Sequence, residues 1–246
     1  MNTKGLLLCG GSGSRLLPFT SYINKHLLPV WDRPMCGWPL KTLIDSGIKD
    51  IMIVLGGEST GEFVKFFGDG SSYGCRISYG YQSTAGGIAD ALAVGREFCG
   101  ASNVCVILGD NVFGEDVKFH LDRFVSGGQI FVKQVDNPEA YGVVEMQMDI
   151  IDGVMKNRVK SIEEKPKKPK SRTIATGLYL YDTSVWSKVD TLVASERREK
   201  EITDLNNLYL ASGTLLAAHV NGLWCDCGES IDVYAKSCWE VRKSFQ

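Results

Sequence analysis

Long hydrophobic runs are missing from this sequence of 246 residues. No stretch reaches the roughly 18 consecutive apolar residues that a membrane-spanning helix needs, so no membrane partner is expected. The first apolar run, Leu6–Cys9, is too short for the core of a signal peptide and is followed by glycine. We therefore expect a cytoplasmic chain whose eight cysteines stay reduced.

A surplus of basic residues is missing as well. The 27 basic and 29 acidic residues give a formal net charge of -2, whereas proteins that bind nucleic acid regardless of its sequence need a large positive surplus. Nucleic acid is therefore excluded as a partner, although a few local cations can still hold a small anionic ligand. Histidine is scarce, and none of His26, His120 and His219 stands in a setting typical of a catalytic triad.

Short apolar runs alternate with amphipathic segments in the first half of the chain. Buried strands of a parallel sheet are predicted over Leu6–Cys9, Ile51–Leu55 and Val104–Leu108. Helices are predicted over Pro39–Ser46, Glu58–Phe67 and Gly87–Phe98. This alternation implies crossover connections and an open α/β sheet.

The pattern changes after Gln129. Longer, alternating strands are predicted over Gln129–Val135, Gly142–Met148 and Thr173–Tyr181, which indicates a mixed second half with antiparallel pieces. The two prolines of Lys165–Lys170 predict a loop. Because the sequence has neither an internal repeat nor a linker, we expect a single domain over residues 1–246.

A glycine-rich turn follows the first predicted strand and reads Gly10-Gly11-Ser12-Gly13-Ser14-Arg15. Glycines let the backbone approach an anion closely, and consecutive N–H groups can converge on phosphate oxygens. The turn fits neither of the commonest templates, because a dinucleotide site would have glycine at Leu16 and a Walker loop would have lysine before the hydroxyl residue. A phosphate loop and a plain turn with a surface arginine are both open at this point.

Two further segments place charges near strand ends. Lys25 precedes an apolar run and can reach back toward the glycine turn, or it is an ordinary surface lysine. Asp110 comes just after the strand that ends at Leu108, and ligands of open α/β sheets bind at the carboxyl ends of strands. Asp110 is therefore placed to hold a hard cation such as Mg²⁺, or to form a turn.

Acidic residues also mark two later segments. Glu163, Glu164 and Lys165 end a predicted strand, and alternation sends the two carboxylates to opposite faces. One carboxylate can accept hydrogen bonds from sugar hydroxyls while Lys165 contacts a phosphate, or the segment is an exposed charged turn. Asp226 is isolated among apolar residues and glycines, and a metal ion shared with Asp110 would supply the partner that a buried carboxylate needs.

In this order along the chain, the motifs resemble the sugar-1-phosphate nucleotidylyltransferases, and most closely the glucose-1-phosphate thymidylyltransferases. The matching stretches run nearly end to end and are Gly10–Thr20, Lys25–Val30, Gln82 with Gly86–Ala89, Gly109–Asn111, Pro138–Val143, Glu163–Pro166, Thr176–Tyr179, Glu201–Asp204 and Trp224–Gly228. No single stretch is decisive, but independent turns would not fall in this order, so the ordered set is specific.

The resemblance implies a Rossmann-like α/β fold, with a mixed, mostly parallel sheet flanked by helices and inserted β structure for a sugar. It implies a nucleotide-binding half, about residues 1–130, and a sugar-phosphate-binding half, about residues 131–228. The implied reaction joins a nucleoside triphosphate, foremost dTTP, to a sugar 1-phosphate, foremost α-D-glucose 1-phosphate, with Mg²⁺. The products are a nucleotide-sugar, used in polysaccharide biosynthesis, and pyrophosphate.

Individual residues acquire roles from the same resemblance. The residues implied to bind the triphosphate are Gly10, Gly11, Gly13, Arg15 and Lys25. For the base they are Gln82 and Gly87, and for Mg²⁺ they are Asp110 and Asp226. For the sugar they are Tyr141, Gly142, Glu164, Ala175 and Tyr179, with Lys165 for its phosphate. Arg15, Lys25, Lys165 and Asp110 would carry the catalysis.

Some positions depart from the family pattern. The segment Ser83–Ala85 lacks the prolines often found beside the base-reading glutamine, which keeps UTP, CTP or another sugar phosphate as alternatives. Glu229 stands where threonine is usual, and His26 stands where many members have glutamine. The longer members have a further helical tail after the position of Gln246, so a dimer is expected rather than a tetramer, without feedback control of that type.

A non-catalytic sugar-nucleotide-binding regulatory subunit is the alternative of another class. Related chains of that kind lose the arginine, the lysine or the metal acids. Here Arg15, Lys25, Asp110 and Asp226 are all present, which favours an enzyme.

Overall fold

The computed structural model describes residues 2–57, 59–151 and 153–246. Its strands are β1 (Thr3–Cys9), β2 (Pro29–Val30), β3 (Arg33–Pro34), β4 (Asp50–Gly56), β5 (Arg76–Gln82), β6 (Asn103–Leu108), β7 (Asn111–Phe113), β8 (Gly128–Gln134), β9 (Gly142–Ile151), β10 (Val154–Glu164), β11 (Thr173–Tyr181), β12 (Leu215–His219) and β13 (Trp224–Asp226). Its α-helices are α1 (Gly37–Asp45), α2 (Thr60–Phe67), α3 (Ile88–Val94), α4 (Arg96–Cys99), α5 (Lys118–Arg123), α6 (Val185–Thr191), α7 (Ile202–Ala211) and α8 (Ile231–Phe245). Short 3-10 helices lie at Ser14–Leu16, Phe19–Ser21, Lys25–Leu27, Ser71–Tyr73 and Pro138–Ala140.

One sheet runs through both halves of the described chain, with nine strands in the order β5-β4-β1-β6-β11-β8-β12-β10-β9. The neighbours β5, β4, β1 and β6 are parallel, and helices connect them because parallel strands need a crossover. β11 and β10 run antiparallel to their neighbours, whereas β12 is parallel to β8. This topology confirms the predicted Rossmann-like, mostly parallel sheet with added antiparallel structure.

Strand β1 shows how the sequence builds a core on each face of the sheet. Leu6 and Leu8 point into one core, where α3, α6 and α7 pack, and Leu7 and Cys9 point into the other, where α1 and α2 pack. Each is at most 5% exposed, and burying one leucine side chain contributes about 1.5–3 kcal/mol. A slip of one residue would exchange the two faces, so burial on both sides fixes where the carboxyl end of β1 lies.

The predicted elements are confirmed with small shifts at their ends, apart from one helix. The second helix begins at Thr60, and Glu58 lies outside the described residues. The single helix expected over Gly87–Phe98 is wrong, since α3 and α4 are separated at Gly95. Glycine is a weak helix former, and the N–H of Gly95 donates to the carbonyl of Leu92, three residues back, which tightens the turn and ends α3.

Helix α8 covers a third buried cluster. Trp38 is 2% exposed, its Nε1 donates to the carbonyl oxygen of Val30 at 2.9 Å, and its ring lies 4.6 Å from that of Phe245. Across the ranges that the structure describes, no helix combines the length and the apolar character that crossing a bilayer requires.

Candidate active site

The parallel strands end along one edge of the sheet, and several of the sequence-predicted residues lie at that edge. Gly10 follows β1, Gln82 is the last residue of β5, and Asp110 lies two residues beyond the end of β6. A cavity of about 330 Å³ opens between this edge and the antiparallel part of the sheet. Its volume is in the range of small-molecule sites, and its position is where open α/β sheets bind ligands.

Residues from both halves of the chain line this cavity. The sequence-predicted residues among them are Gly10, Gly11, Arg15, Lys25, Gln82, Gly87, Asp110, Tyr141, Gly142, Glu164, Lys165, Ala175, Tyr179 and Asp226. Gly13 lies behind the lining, where its left-handed backbone (φ 67°) turns the loop and its carbonyl accepts a hydrogen bond from Thr20 Oγ1 at 2.9 Å. The structure therefore brings together residues that are far apart in the sequence, from Gly10 to Asp226.

The glycine turn offers donors that the protein does not use. Among the described residues, the N–H groups of Gly11, Ser12 and Gly13 have no acceptor. Arg15 is exposed at the cavity wall and forms no salt bridge or hydrogen bond with a described residue. These groups are free to bind phosphate oxygens.

Lys25 and Asp110 form an ion pair in the cavity wall. Lys25 Nζ lies 2.6 Å from Asp110 Oδ2, and the two side chains are 16% and 13% exposed. Burial opposes the charge of Asp110, but Lys25 and a hydrogen bond from Asn111 Nδ2 at 2.9 Å outweigh it and hold the pKa of Asp110 below its usual range. Burial also opposes the charge of Lys25, yet Asp110 and Asp226 raise its pKa, so both partners are charged at neutral pH.

A short pair of strands brings Asp226 to this ion pair. β13 pairs antiparallel with β7 in a register that sets Asp226 opposite Asn111, and the N–H of Cys227 donates to the carbonyl oxygen of Asp110 at 2.9 Å. Burial and the charge of Asp110 raise the pKa of Asp226 to about 7. The fold thus holds two aspartates together although their charges oppose each other.

The aspartate pair fits a divalent cation. Mg²⁺ is held by one or two carboxylates with phosphate oxygens and waters completing its shell, and a buried carboxylate beside a second one is stabilised by a shared cation. Within the part of the chain that is described, no cluster of three or more histidine, cysteine, aspartate or glutamate side chains could hold a metal ion. The donors of Asp110 and Asp226 therefore suit a cation that phosphate groups also bind.

On the opposite wall, Glu164 at the end of β10 connects several polar groups. Its Oε2 accepts a hydrogen bond from Thr203 Oγ1 at 2.6 Å. Its Oε1 lies 3.3 Å from the guanidinium of Arg197 and 3.5 Å from Lys165 Nζ. Glu163 pairs instead with Lys170 at 3.8 Å, away from the cavity, as strand alternation predicts.

The backbone at Lys165 is left-handed, with φ 43°. Such a conformation costs a non-glycine residue on the order of 1–3 kcal/mol and occurs preferentially at functional sites. The N–H of Lys165 donates to the carbonyl oxygen of Tyr141 at 3.0 Å, which holds the turn. Lys165 is thereby fixed at the cavity, while the rest of the lysine-rich segment forms the predicted loop.

Tyr141 is held on the same wall from two sides. Its hydroxyl donates to Glu229 Oε2 at 2.8 Å, and its ring meets the edge of Trp224 at 5.8 Å and 69°. Burial and the nearby carboxylates of Asp226 and Glu229 raise its pKa, so the hydroxyl stays protonated. Trp224 Nε1 donates to Asn111 Oδ1 at 2.8 Å, which connects this wall to the aspartate pair.

Sequence reasoning gave no role to two cavity residues with clear chemistry, Arg197 and Thr203. Thr203 lies in the stretch Glu201–Asp204, which contributed to the resemblance, so its position was a usable signal. Arg197 lies in a charged segment before α7 that reads as a solvated loop, and only the fold shows its guanidinium 2.9 Å from Glu201 and close to Glu164.

Taken together, the fold and the site define an α/β enzyme that handles phosphate groups at the carboxyl ends of its parallel strands. The chain belongs to the nucleotidyl transferase family, whose model matches residues 4–242. This confirms the family resemblance deduced from the ordered motifs.

Named relatives are similar over most of the chain. The glucose-1-phosphate thymidylyltransferase of Neisseria meningitidis serogroup A is 42% identical over 232 residues, which are 92% of this chain and 78% of the relative. That of Mycolicibacterium smegmatis is 43% identical over 215 residues, which are 86% of this chain and 72% of the relative.

Solved structures agree with this placement. A crystal structure from Bacillus anthracis, assigned as a glucose-1-phosphate thymidylyltransferase in complex with sucrose, is 40% identical with a TM-score of 0.90 and covers 98% of this chain and 95% of that one. A UDP-glucose pyrophosphorylase complexed with UDP-glucose has a TM-score of 0.84 at 21% identity and covers 99% of both chains, which shows that the fold is shared.

Proposed function

We propose that this chain joins dTTP to α-D-glucose 1-phosphate and releases dTDP-glucose and pyrophosphate. The observation that carries the proposal is the single cavity in which the free donors of the glycine turn, the Lys25–Asp110–Asp226 cluster and the Glu164–Lys165 wall meet. The relatives at about 40% identity support the choice of thymidine nucleotide and glucose phosphate.

The reaction is a displacement at the α-phosphorus of the triphosphate. An oxygen of the sugar phosphate forms the new bond to the α-phosphorus, and the bond from that phosphorus to the bridging oxygen breaks, so pyrophosphate leaves with that oxygen. The attacking oxygen is already anionic, hence no general base is needed. His26 agrees with this, since burial lowers its pKa to about 3, which makes it too weak a base to take up a proton at neutral pH.

The main obstacle is repulsion between the two phosphate groups. Positioning them in line and neutralising their charge is therefore most of the catalysis. Arg15 and Lys25 would hold the triphosphate over the glycine turn, and Lys165 and Arg197 would hold the sugar phosphate. A cation about 4 Å from a phosphate charge contributes on the order of 4 kcal/mol at an effective dielectric of about 20.

Asp110 and Asp226 would hold Mg²⁺. When bound, the ion would supply charge neutralisation on the phosphate oxygens that share it. Lys25, at 2.6 Å from Asp110 Oδ2, already balances part of the charge of the two aspartates.

The nucleotide and the sugar phosphate would be bound by different halves of the cavity. Residues 1–130 would bind the nucleotide, with Gln82 and Gly87 at the base, and residues 131–228 would bind the sugar phosphate within the same single domain. Glu164 has carboxylate oxygens that suit sugar hydroxyls, and Tyr141, Gly142, Ala175 and Tyr179 give the remaining wall.

The test is a substrate panel with pyrophosphate detection. The chain is incubated with Mg²⁺, each of dTTP, UTP and CTP, and glucose 1-phosphate or another hexose 1-phosphate. The highest kcat/KM is expected for dTTP with glucose 1-phosphate. Equal turnover of UTP and dTTP would defeat thymine selectivity, and no pyrophosphate from any pair would refute the function.

A further inference from the structure

The side-chain amide of Gln82 is held on its nitrogen side. Nε2 donates to Asp90 Oδ2 at 2.9 Å and to the carbonyl oxygen of Gly87 at 3.2 Å, and the residue is 8% exposed. An amide nitrogen has two N–H donors, so both are used. A carboxylate and a carbonyl only accept hydrogen bonds, so turning the amide over would place its oxygen against two acceptors.

The oxygen of Gln82 is left free for a ligand. Oε1 lies 3.1 Å from where a Cβ of Gly10 would be, and both residues line the cavity. Among the described residues, none donates a hydrogen bond to this oxygen. Gln82 therefore presents an acceptor, and not a donor, to the nucleotide side of the cavity.

Asp90 acts from behind Gln82. It lies in the first turn of α3 and is outside the cavity lining. A Cβ at Gly86 would lie only 2.6 Å from Asp90 Oδ2, so the absence of a side chain at position 86 gives the carboxylate its place. Gly86 and Asp90, which do not line the cavity, thus fix the amide orientation of Gln82, which does.

The fixed orientation distinguishes the pyrimidine bases. Thymine and uracil carry an N–H at N3 beside the O4 acceptor, whereas cytosine has an unprotonated N3 beside an amino donor. Where Oε1 faces N3, it pairs with the N3–H of thymine and uracil but opposes the lone pair of cytosine N3, and cytosine gains a partner only by shifting so that its amino group faces Oε1 instead. A site that leaves buried polar groups mismatched rejects the wrong ligand strongly.

We propose that Asp90 is a positioning residue that determines nucleotide specificity: by anchoring Nε2 of Gln82 it keeps Oε1 toward the base, which favours thymine and uracil over cytosine. The inference rests on the proposed function, because it requires a nucleotide base to lie against Gln82. It concerns the choice between cytosine and the two bases with a keto group at C4, thymine and uracil, and not the choice between thymine and uracil.

The experiment compares kcat/KM for dTTP, UTP and CTP, with glucose 1-phosphate and Mg²⁺, in the wild-type chain and in Asp90→Asn. Asparagine keeps the shape of aspartate, but its amide can donate as well as accept, so a turned Gln82 amide finds a donor at position 90 and only the carbonyl of Gly87 still opposes it. The CTP to dTTP ratio of kcat/KM is expected to increase about tenfold. The UTP to dTTP ratio should stay within twofold, because both bases carry N3–H.

A second variant, Gly86→Ala, tests the same geometry by another route. Its methyl group displaces the Asp90 carboxylate, so the same rise in the CTP to dTTP ratio is expected. The proposal would be overturned if kcat/KM fell by the same factor for all three nucleotides in the folded variants, or if the CTP to dTTP ratio stayed unchanged in both variants. Asp90 would then have only a structural role.

Failure of the proposed function gives a different result. In that case the wild-type chain releases no pyrophosphate with any nucleotide, and calorimetric titration with dTDP and CDP replaces turnover. The role of Asp90 is supported if the wild-type chain binds dTDP more tightly than CDP and Asp90→Asn reduces this ratio of affinities about tenfold. Equal binding of both, or no binding of either, overturns it.

Discussion

Replacing Arg15 with methionine separates binding of phosphate from folding. The guanidinium lies at the cavity wall without a salt bridge or hydrogen bond to any described residue, so its removal should change the free energy of unfolding by no more than about 0.5 kcal/mol. A cation 4 Å from a phosphate charge contributes about 1 kcal/mol at the dielectric of water and about 4 kcal/mol at an effective dielectric of 20. Because Arg15 is exposed, its contribution lies between these limits, and kcat/KM should fall by a factor between about 5 and about 900.

The assay measures pyrophosphate release at varied dTTP and, in parallel, urea unfolding. Arg242→Met is the matched control, because Arg242 is an exposed arginine on α8 outside the cavity lining. The control should keep wild-type kcat/KM. Activity unchanged in Arg15→Met, or a loss of activity that accompanies a loss of stability, would refute the reasoning.

Substitutions at three other positions give separate expectations. Asp110→Asn should abolish pyrophosphate release while circular dichroism shows a native fold, and retained activity would remove Asp110 from the mechanism. Burial lowers the pKa of His26 to about 3 from 6.5, so between these values the unfolded chain binds a proton that the folded chain does not. The free energy of unfolding should therefore fall with falling pH by up to about 1.4 kcal/mol per pH unit. When urea unfolding is measured at pH 6.5, 5.5 and 4.5, the free energy of unfolding should depend less steeply on pH in His26→Gln than in the wild-type chain. Glu229→Ala removes the acceptor of the Tyr141 hydroxyl and should raise KM for glucose 1-phosphate about tenfold, whereas Glu229→Gln keeps an acceptor and should stay within twofold, a difference that equal KM values would disprove.

The fold was largely predictable because its information is local. Alternating burial of Leu6 and Leu7 follows from a parallel sheet covered on both faces, and the apolar runs mark the strands. The break at Gly95 was missed because the amphipathic pattern continues across it, although glycine is a weak helix former.

The ordered motifs predicted which residues line the cavity, but not the contacts between them. Asp110 and Asp226 are far apart in sequence, and only the register of β7 with β13 brings them together. The Lys25–Asp110 distance, like the hydrogen bond from Tyr141 to Glu229, depends on long-range packing that no local pattern encodes.

Product analysis tests the central claim most directly. The chain is incubated with dTTP, glucose 1-phosphate and Mg²⁺, and mass spectrometry of the separated nucleotides is combined with pyrophosphate measurement. We expect dTDP-glucose and pyrophosphate in equal amounts, formed only when both substrates are present. Pyrophosphate formed without glucose 1-phosphate, or no dTDP-glucose when both substrates are present, would contradict the proposed reaction.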